Sequence, residues 1–243
     1  MISYVLVNES TQTDAALGGE LTPAILDLIA NACAEQLNGE FSREWGGGYA
    51  VRGDKLQSVQ AGEVAVLIQD NLPAAPGAEG YHDRSDVGAE TVFISRVGST
   101  SLTQGVDALS VVISHELLEG SADPAANRWA DRGNGHEEAL EVADRVQDRW
   151  YSASNGVAVS DFLLQAAFDP GAPHPYSHLD SLAYNTGTMP TMTDGGYALV
   201  RSVASDEHQA TPGHPKRIGV VSDAKAARHK HPSSRAYRRG LRA

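Results

Sequence analysis

The chain has 243 residues, a formal net charge of −12 and 41% hydrophobic residues, values that are ordinary for one substantial globular domain or two small ones. Its single cysteine excludes a disulfide scaffold and a cysteine metal cluster. No apolar stretch approaches the roughly 20 residues that span a bilayer, and residues 1–10 lack the pattern of an export signal. The composition predicts a soluble protein without a membrane partner.

Strand and helix signals alternate in the N-terminal half. β-branched and aromatic residues predict a strand over 2–9, and helical spacing of apolar residues predicts a helix over 21–41. Thr22 suits the N-cap of that helix and Pro23 its first position. Three short strands are predicted next, over 49–53, 63–70 and 90–97.

Residues 71–89, between the last two of these strands, are rich in proline and glycine and predict a long loop. Residues 105–121 predict a helix that is apolar on nearly all sides and therefore buried. Beyond it, 137–151 suits a second helix, although its β-branched residues leave the end of that helix open. Residues 157–168 predict a strand followed by an extended core segment.

These elements together predict an α+β fold. We expect an N-terminal part over 1–124 that contains the buried helix and a subdomain over 125–201 that completes a cleft. A basic tail is expected over 202–243.

Charge is distributed unevenly along the chain. From His214 onward nine Lys or Arg accompany one acid, so residues 214–243 carry about +8 and the rest of the chain about −20. Large apolar side chains are rare there, which predicts an appendage outside the core. It is either a solvated tail or a basic arm for nucleic acid or an acidic protein surface.

The buried helix carries a histidine and several acids. His115 and Glu119 are four residues apart, so they lie on one face of the helix and can bind one cation together. Glu116 lies about 100° further around the helix, which suits contact with a water held by that cation. An unpaired carboxylate in a core is costly, and a second acidic segment follows about 22 residues later. The pattern predicts a metal site.

A tetrahedral catalytic site needs a third protein ligand and one open position. Glu141 is the preferred candidate. Asp144, three residues further on, would orient His115 or enter the coordination shell itself. Asp123 is the competing candidate, because at i+8 it projects about 80° from His115.

Two segments, 114–129 and 137–151, resemble zincin-type metallopeptidases through a His-Glu-x-x-Glu pattern followed by Asp-Pro and Trp, and through a later Glu-x-x-Asp. Uncharacterised bacterial and phage proteins, and more loosely plant EXORDIUM-like proteins, are similar in the same way. The resemblance implies a zincin-like fold with a small mixed sheet, a backing helix, a buried active-site helix and an irregular C-terminal subdomain. It also implies that strand 90–97 is the edge strand of a substrate cleft, and that 188–197 forms a turn beneath the metal with Met189 or Met192 inside it.

One departure from the zincin pattern concerns the metal. Glu119 stands where zincins have a second histidine. Anionic ligands acidify a bound water less than neutral imidazoles do, which predicts weak catalysis at neutral pH. The resemblance implies zinc, and because oxygen ligands favour harder cations, manganese and calcium are the alternatives.

Two residues outside the metal pattern are candidates for substrate binding. His82 falls in the predicted loop and either reaches the cleft or is solvated there. Tyr197 follows two glycines and would hydrogen-bond a transition-state oxygen, as tyrosines do in some zincins. The chain has no serine-nucleophile elbow and no P-loop, and Cys33 has no reactive setting, which leaves serine, cysteine and nucleotide chemistries unsupported.

Two functions of different classes follow from these features. The first is a metal-dependent hydrolase, a cytoplasmic zinc metallopeptidase in which Glu116 takes a proton from the ion-bound water that attacks a peptide. The second is a non-catalytic phage virion or assembly protein on a degenerate zincin scaffold, with residues 214–243 as an arm for DNA or neighbouring subunits. A third interpretation of the sequence is a binding domain that calcium stabilises.

Overall fold

A computed structural model describes residues 1–11, 19–73, 78–84, 90–96, 98–133, 135–182, 191–202 and 208–212. Within these residues the chain forms an α+β fold with a five-stranded mixed sheet, a four-stranded antiparallel sheet and a two-stranded ribbon. The basic arm 214–243 and Met189 lie outside the described residues.

The N-terminal half contains five strands and three helical segments, β1 Ile2–Asn8, α1 Pro23–Gln36, α2 Ser42–Trp45, β2 Tyr49–Asp54, β3 Val64–Gln69, β4 Gly80–Arg84, β5 Glu90–Ser95 and α3 Leu109–Ala122. The C-terminal half contributes β6 Trp129–Gly133, β7 His136–Ala139, β8 Trp150–Ser152, β9 Ala158–Ser160, β10 Tyr197–Ser202 and β11 His208–Pro212. A π-helical turn at Leu37–Phe41 joins α1 to α2, and short 3-10 segments lie at Leu56–Ser58, Asp144–Val146 and Gln165–Phe168.

The first sheet has the strand order β2-β1-β3-β5-β4. Its first four strands are parallel, and β4 is antiparallel to β5 at the edge of the sheet. The predicted strands 2–9, 49–53, 63–70 and 90–97 are confirmed within a few residues at their ends. The start of α1 is also as predicted, because the side chain of Thr22 accepts a hydrogen bond from the Ile25 amide and Pro23 occupies the first turn.

The predicted loop 71–89 is wrong in one part, since residues 80–84 form β4. The prediction that strand 90–97 is the edge strand is therefore wrong as well: β5 lies between β3 and β4, and β4 is the edge. The short β4 segment lacks the run of β-branched residues that marks a strand, and pairing with β5 is what extends it.

Helix α3 lies at the centre of the molecule. It starts at Leu109 rather than at Gly105, and its residues are buried on nearly all sides, as predicted. The Ser110 hydroxyl donates to the Ala158 carbonyl at 2.7 Å, and the Ser114 hydroxyl accepts from the Ser160 amide at 2.8 Å. These bonds join α3 to β9, and the helix also packs against β4, β5 and α1.

The suggestion of a second helix over 137–151 is wrong. These residues form β7, an irregular turn, the 3-10 segment Asp144–Val146 and the start of β8. The four-stranded sheet has the order β11-β10-β7-β6, so β7 has a partner on each side, and this pairing overrides the local helical preference. Residues 208–212, which we expected in the tail, form its edge strand β11.

One hydrophobic core serves both expected parts of the chain. The largest cluster of buried apolar side chains extends from Tyr4 to Leu182, and the rings of Phe41 and Phe162 are in edge-to-face contact at 5.4 Å. The expected boundary at 124 therefore does not separate two cores among the described residues. None of the helices in these residues is long and apolar enough to cross a bilayer.

Candidate metal centre

Three separate parts of the chain bring histidine and carboxylate side chains together at α3. The helix supplies three of them, β4 supplies one, and the turn after β7 supplies two. The six residues are His115, Glu116, Glu119, His82, Glu141 and Asp144.

The His115 imidazole lies between two carboxylates. Its Nε2 is 3.3 Å from Glu119 Oε1 and 3.4 Å from Asp144 Oδ1. A charge-assisted hydrogen bond is shorter, at about 2.7–2.9 Å. A tetrahedral ion with bonds of about 2.0–2.1 Å separates its ligand atoms by about 3.4 Å. The spacing around His115 fits a shared cation better than direct hydrogen bonds.

The His82 imidazole lies on the other side of Glu119. Its Nδ1 is 3.7 Å from Glu119 Oε2 and 3.6 Å from Glu116 Oε2. Ligand atoms of His82, Glu119 and Glu141 all lie within 4.8 Å of one another, as do those of His115, Glu116 and Glu119. Glu119 therefore belongs to both groups.

Nearly all of these side chains are buried. The His82 side chain is 0% exposed, those of Glu119 and Asp144 are 1% exposed, and that of His115 is 12% exposed, so His115 is on the solvent side of the cluster. Glu116 Oε2 and Glu119 Oε1 have no hydrogen-bond partner among the described residues. Buried oxygens without a partner are costly. A cation would satisfy Glu119 Oε1, and a water bound to that cation would satisfy Glu116 Oε2. The donor set of imidazoles and carboxylates thus fits a divalent metal.

The electrostatics of the cluster agree with this fit. Burial, together with the charges of Asp144 and Glu141, raises the pKa of Glu119 from 4.5 to about 8. Burial opposes the charged form of His115, but Glu119, Asp144 and Glu116 outweigh it and raise the pKa of His115 well above its usual value. The cluster therefore holds protons at neutral pH that a cation would displace on binding.

Without a bound cation, the protein is expected to be more stable at about pH 5 than at about pH 8. The folded-state pKa of Glu119 is about 8 against 4.5 unfolded, so the free energy of unfolding falls as pH rises between these values. The raised pKa of His115 acts in the same direction, and each pKa unit corresponds to about 1.4 kcal/mol. Urea denaturation in EDTA at both pH values measures the difference. Glu119→Gln should flatten the dependence, and a wild type whose stability rises with pH would contradict the expectation.

A buried ion triad holds the segment that carries Glu141 and Asp144. Arg132 Nε and Arg145 Nε each donate to the carboxylate of Glu138 at 2.6 Å, and all three side chains are at most 2% exposed. Glu138 precedes Glu141 by three residues, and Arg145 directly follows Asp144. The triad therefore positions both acids against α3.

The turn before β10 packs against the same segment. Thr193 N donates to the Arg145 carbonyl at 3.0 Å, and a Cβ on Gly196 would lie 2.1 Å from that carbonyl oxygen, so only glycine fits. Met192 lies at the start of this turn and is half-buried. Residues 191–196 of the predicted turn thus lie against the segment of Asp144, and their relation to a bound ion stays a prediction.

Tyr197 follows this turn and lies beside Asp144. Burial and the carboxylates of Asp144, Glu119 and Glu141 raise the pKa of Tyr197 well above its usual value. Tyr197 is half-buried and hydrogen-bonds Asp144, so it orients a cluster acid; its predicted contact with a substrate stays a prediction.

Glycine at position 80 makes room for Glu116. A Cβ at Gly80 would lie 2.8 Å from Glu116 Cγ and 2.9 Å from its Oε1, closer than real Cβ atoms approach. The edge strand β4 therefore passes directly over the Glu116 carboxylate.

Asp123, the competing candidate for a ligand, is fully buried. It ends α3, and its Oδ2 accepts a hydrogen bond from the Arg128 amide at 2.7 Å. Neither ligand group among the described residues includes Asp123 or Asp144, but Asp144 lies 3.4 Å from the His115 nitrogen. The Asp123 carboxylate thus joins the end of the helix to the turn that follows, and its role as a ligand stays a prediction.

His82 is the member of the cluster that the sequence did not place there. It is fully buried on β4, not in a loop, and its substrate contact stays a prediction. No spacing rule relates it to α3, because it comes from a different element that only the sheet brings alongside the helix. Comparisons with protein-family models, curated proteins and solved structures find no match to this chain.

Proposed function

We propose that the protein is a metal-dependent hydrolase of zincin type that cleaves peptides, with one divalent cation held by His115, Glu119 and Asp144. The observation that carries the proposal is the spacing of 3.3 and 3.4 Å between the His115 nitrogen and the two carboxylates, beside a Glu116 oxygen without a hydrogen-bond partner in the described residues. In this proposal Asp144 replaces the predicted ligand Glu141, because Asp144 Oδ1 lies 3.4 Å from His115 Nε2 and Glu141 groups with His82 and Glu119.

The donor set favours a transition-metal ion. Imidazole nitrogen suits Zn²⁺ and its neighbours, carboxylates suit Mn²⁺ as well, and Ca²⁺ prefers sites made of oxygen alone. With histidines at 82 and 115 on either side of Glu119, zinc or manganese fits better than calcium.

Such an ion, when bound, polarises a carbonyl and lowers the pKa of water. Glu116 then accepts the proton of the attacking water and delivers it to the leaving amine. Its carboxylate is buried yet adjacent to His115, which is the exposed side of the cluster. Tyr197 keeps Asp144 in place through its hydrogen bond.

The edge strand β4 supports a peptide as the substrate. It is paired to β5 on one side only among the described residues. An extended peptide that adds to its open side would form main-chain hydrogen bonds. Because Gly80 lies against Glu116, such a peptide would pass close to the catalytic carboxylate.

Metal addition is the direct test. Full-length protein stripped with EDTA and reloaded with Zn²⁺ should melt at a higher temperature, and a random peptide library should be cleaved only by the loaded form, as read by mass spectrometry. His115→Gln should remove both effects. The control is His174→Gln, which should keep both effects. The His174 side chain is 45% exposed and pairs with Asp180 outside the cluster. Protein that binds no zinc would overturn the proposal; zinc binding without cleavage would overturn the hydrolase and leave a binding scaffold.

A further inference from the structure

We infer that the cluster binds a second cation and that Glu119 bridges the two ions. The inference deepens the proposed function and rests on it. The first ion is the one between His115, Glu119 and Asp144. The second lies between His82, Glu119 and Glu141, whose ligand atoms are within 4.8 Å of one another.

The two oxygens of Glu119 face different imidazoles. Oε1 is 3.3 Å from His115 Nε2, and Oε2 is 3.7 Å from His82 Nδ1. Binding of a single ion by Glu119 would not require its second oxygen to face another buried imidazole. Carboxylates that bridge two ions about 3.5–4 Å apart have one oxygen on each.

Solvent does not reach the second imidazole, that of His82. His82 is 0% exposed, and besides Glu119 its Nδ1 faces Glu116 Oε2 at 3.6 Å. That oxygen is itself buried and has no hydrogen-bond partner among the described residues. The Glu116 side chain, which is 6% exposed, therefore faces the second ligand group and also belongs to the first.

The charge of the cluster favours two divalent ions over one. Its four carboxylates, those of Glu116, Glu119, Glu141 and Asp144, are all buried. Fully ionised, they carry four negative charges, of which a single divalent ion balances half. Two divalent ions balance them completely while both imidazoles stay neutral, as metal ligation requires. Net buried charge is expensive, so the second ion removes a cost that the first leaves.

A paired site would extend the chemistry of the proposed hydrolase. Two bound ions would together polarise the carbonyl of the scissile peptide bond and acidify the attacking water. Glu116 lies beside both ligand groups and keeps its role as the base.

The test uses Mn²⁺, because its electron paramagnetic resonance spectrum shows whether two ions are close. Full-length protein stripped with EDTA, reloaded with Mn²⁺ and desalted should contain two manganese ions per chain by elemental analysis, with a magnetically coupled spectrum. His82→Gln should retain one ion with an uncoupled spectrum. His174→Gln, outside the cluster, should behave as the wild type does.

The outcomes separate this inference from the proposed function. A wild type with one ion, or with two uncoupled ions, overturns the paired site while the single-ion hydrolase stands, and neither result depends on a variant that folds. Two coupled ions that persist in His82→Gln overturn the assignment of His82. A wild type that binds no manganese and no zinc overturns both.

Discussion

Replacing Glu116 by Gln is expected to abolish peptide hydrolysis while the protein still binds its cation. The amide keeps the size of the carboxylate but cannot accept a proton, and loss of a general base lowers kcat by about 10²–10⁴-fold. The proposed ligands His115, Glu119 and Asp144 are unchanged in this variant. Steady-state kinetics on a cleaved peptide and a zinc titration measure the two properties separately.

Two matched variants show whether the loss of hydrolysis is caused by the loss of the general base. Glu35→Gln makes the same chemical change at an exposed acid of α1 that accepts a hydrogen bond from the Ser154 amide, and it should leave kcat unchanged. Glu119→Gln should lose activity through weaker metal binding, so that added zinc restores part of it. An unaltered kcat in Glu116→Gln would rule out the proposed role.

Replacing Glu138 by Gln is expected to lower the free energy of unfolding by about 3–5 kcal/mol, the usual cost of breaking a buried ion pair from one side. Arg132 and Arg145 donate to both oxygens of this carboxylate from positions at most 2% exposed, and the amide leaves their charges without a counterion in the triad. Urea denaturation measures the loss. Metal affinity should fall too, because the triad positions the segment of Glu141 and Asp144.

The neighbouring acid provides the control for this prediction. Glu137 on the same strand pairs with Arg201, but its side chain is 25% exposed. A partly solvated pair contributes about 0–1 kcal/mol, so Glu137→Gln should cost no more than that. If the two variants lose the same small amount of stability, the buried triad does not hold the segment as we describe.

Local patterns account for the parts of the fold that were predicted well. The start of α1 depends on Thr22 and Pro23, whose capping chemistry is contained in neighbouring residues. The burial of α3 follows from apolar residues on all its sides. His115, Glu116 and Glu119 come together for the same reason, since one turn of helix relates them.

Strands β4 and β7 were not predicted because their conformation depends on partners distant in the sequence. Residues 80–84 are extended by pairing with β5, and 136–139 by pairing with β6 and β10. Their own residues have no strong strand preference. The same pairing corrects the edge of the sheet from β5 to β4.

By itself, the sequence determined an α+β chain with a buried helix whose histidine and acids need a partner, because helical periodicity and the cost of buried charge are local properties. Only the tertiary structure decided which other side chains meet them. His82 joins the cluster from an edge strand. Asp144 approaches His115 from a turn that the ion pair of Arg145 with Glu138 holds in place. Side chains from separate elements converge through sheet pairing and core packing, which no spacing along the chain encodes.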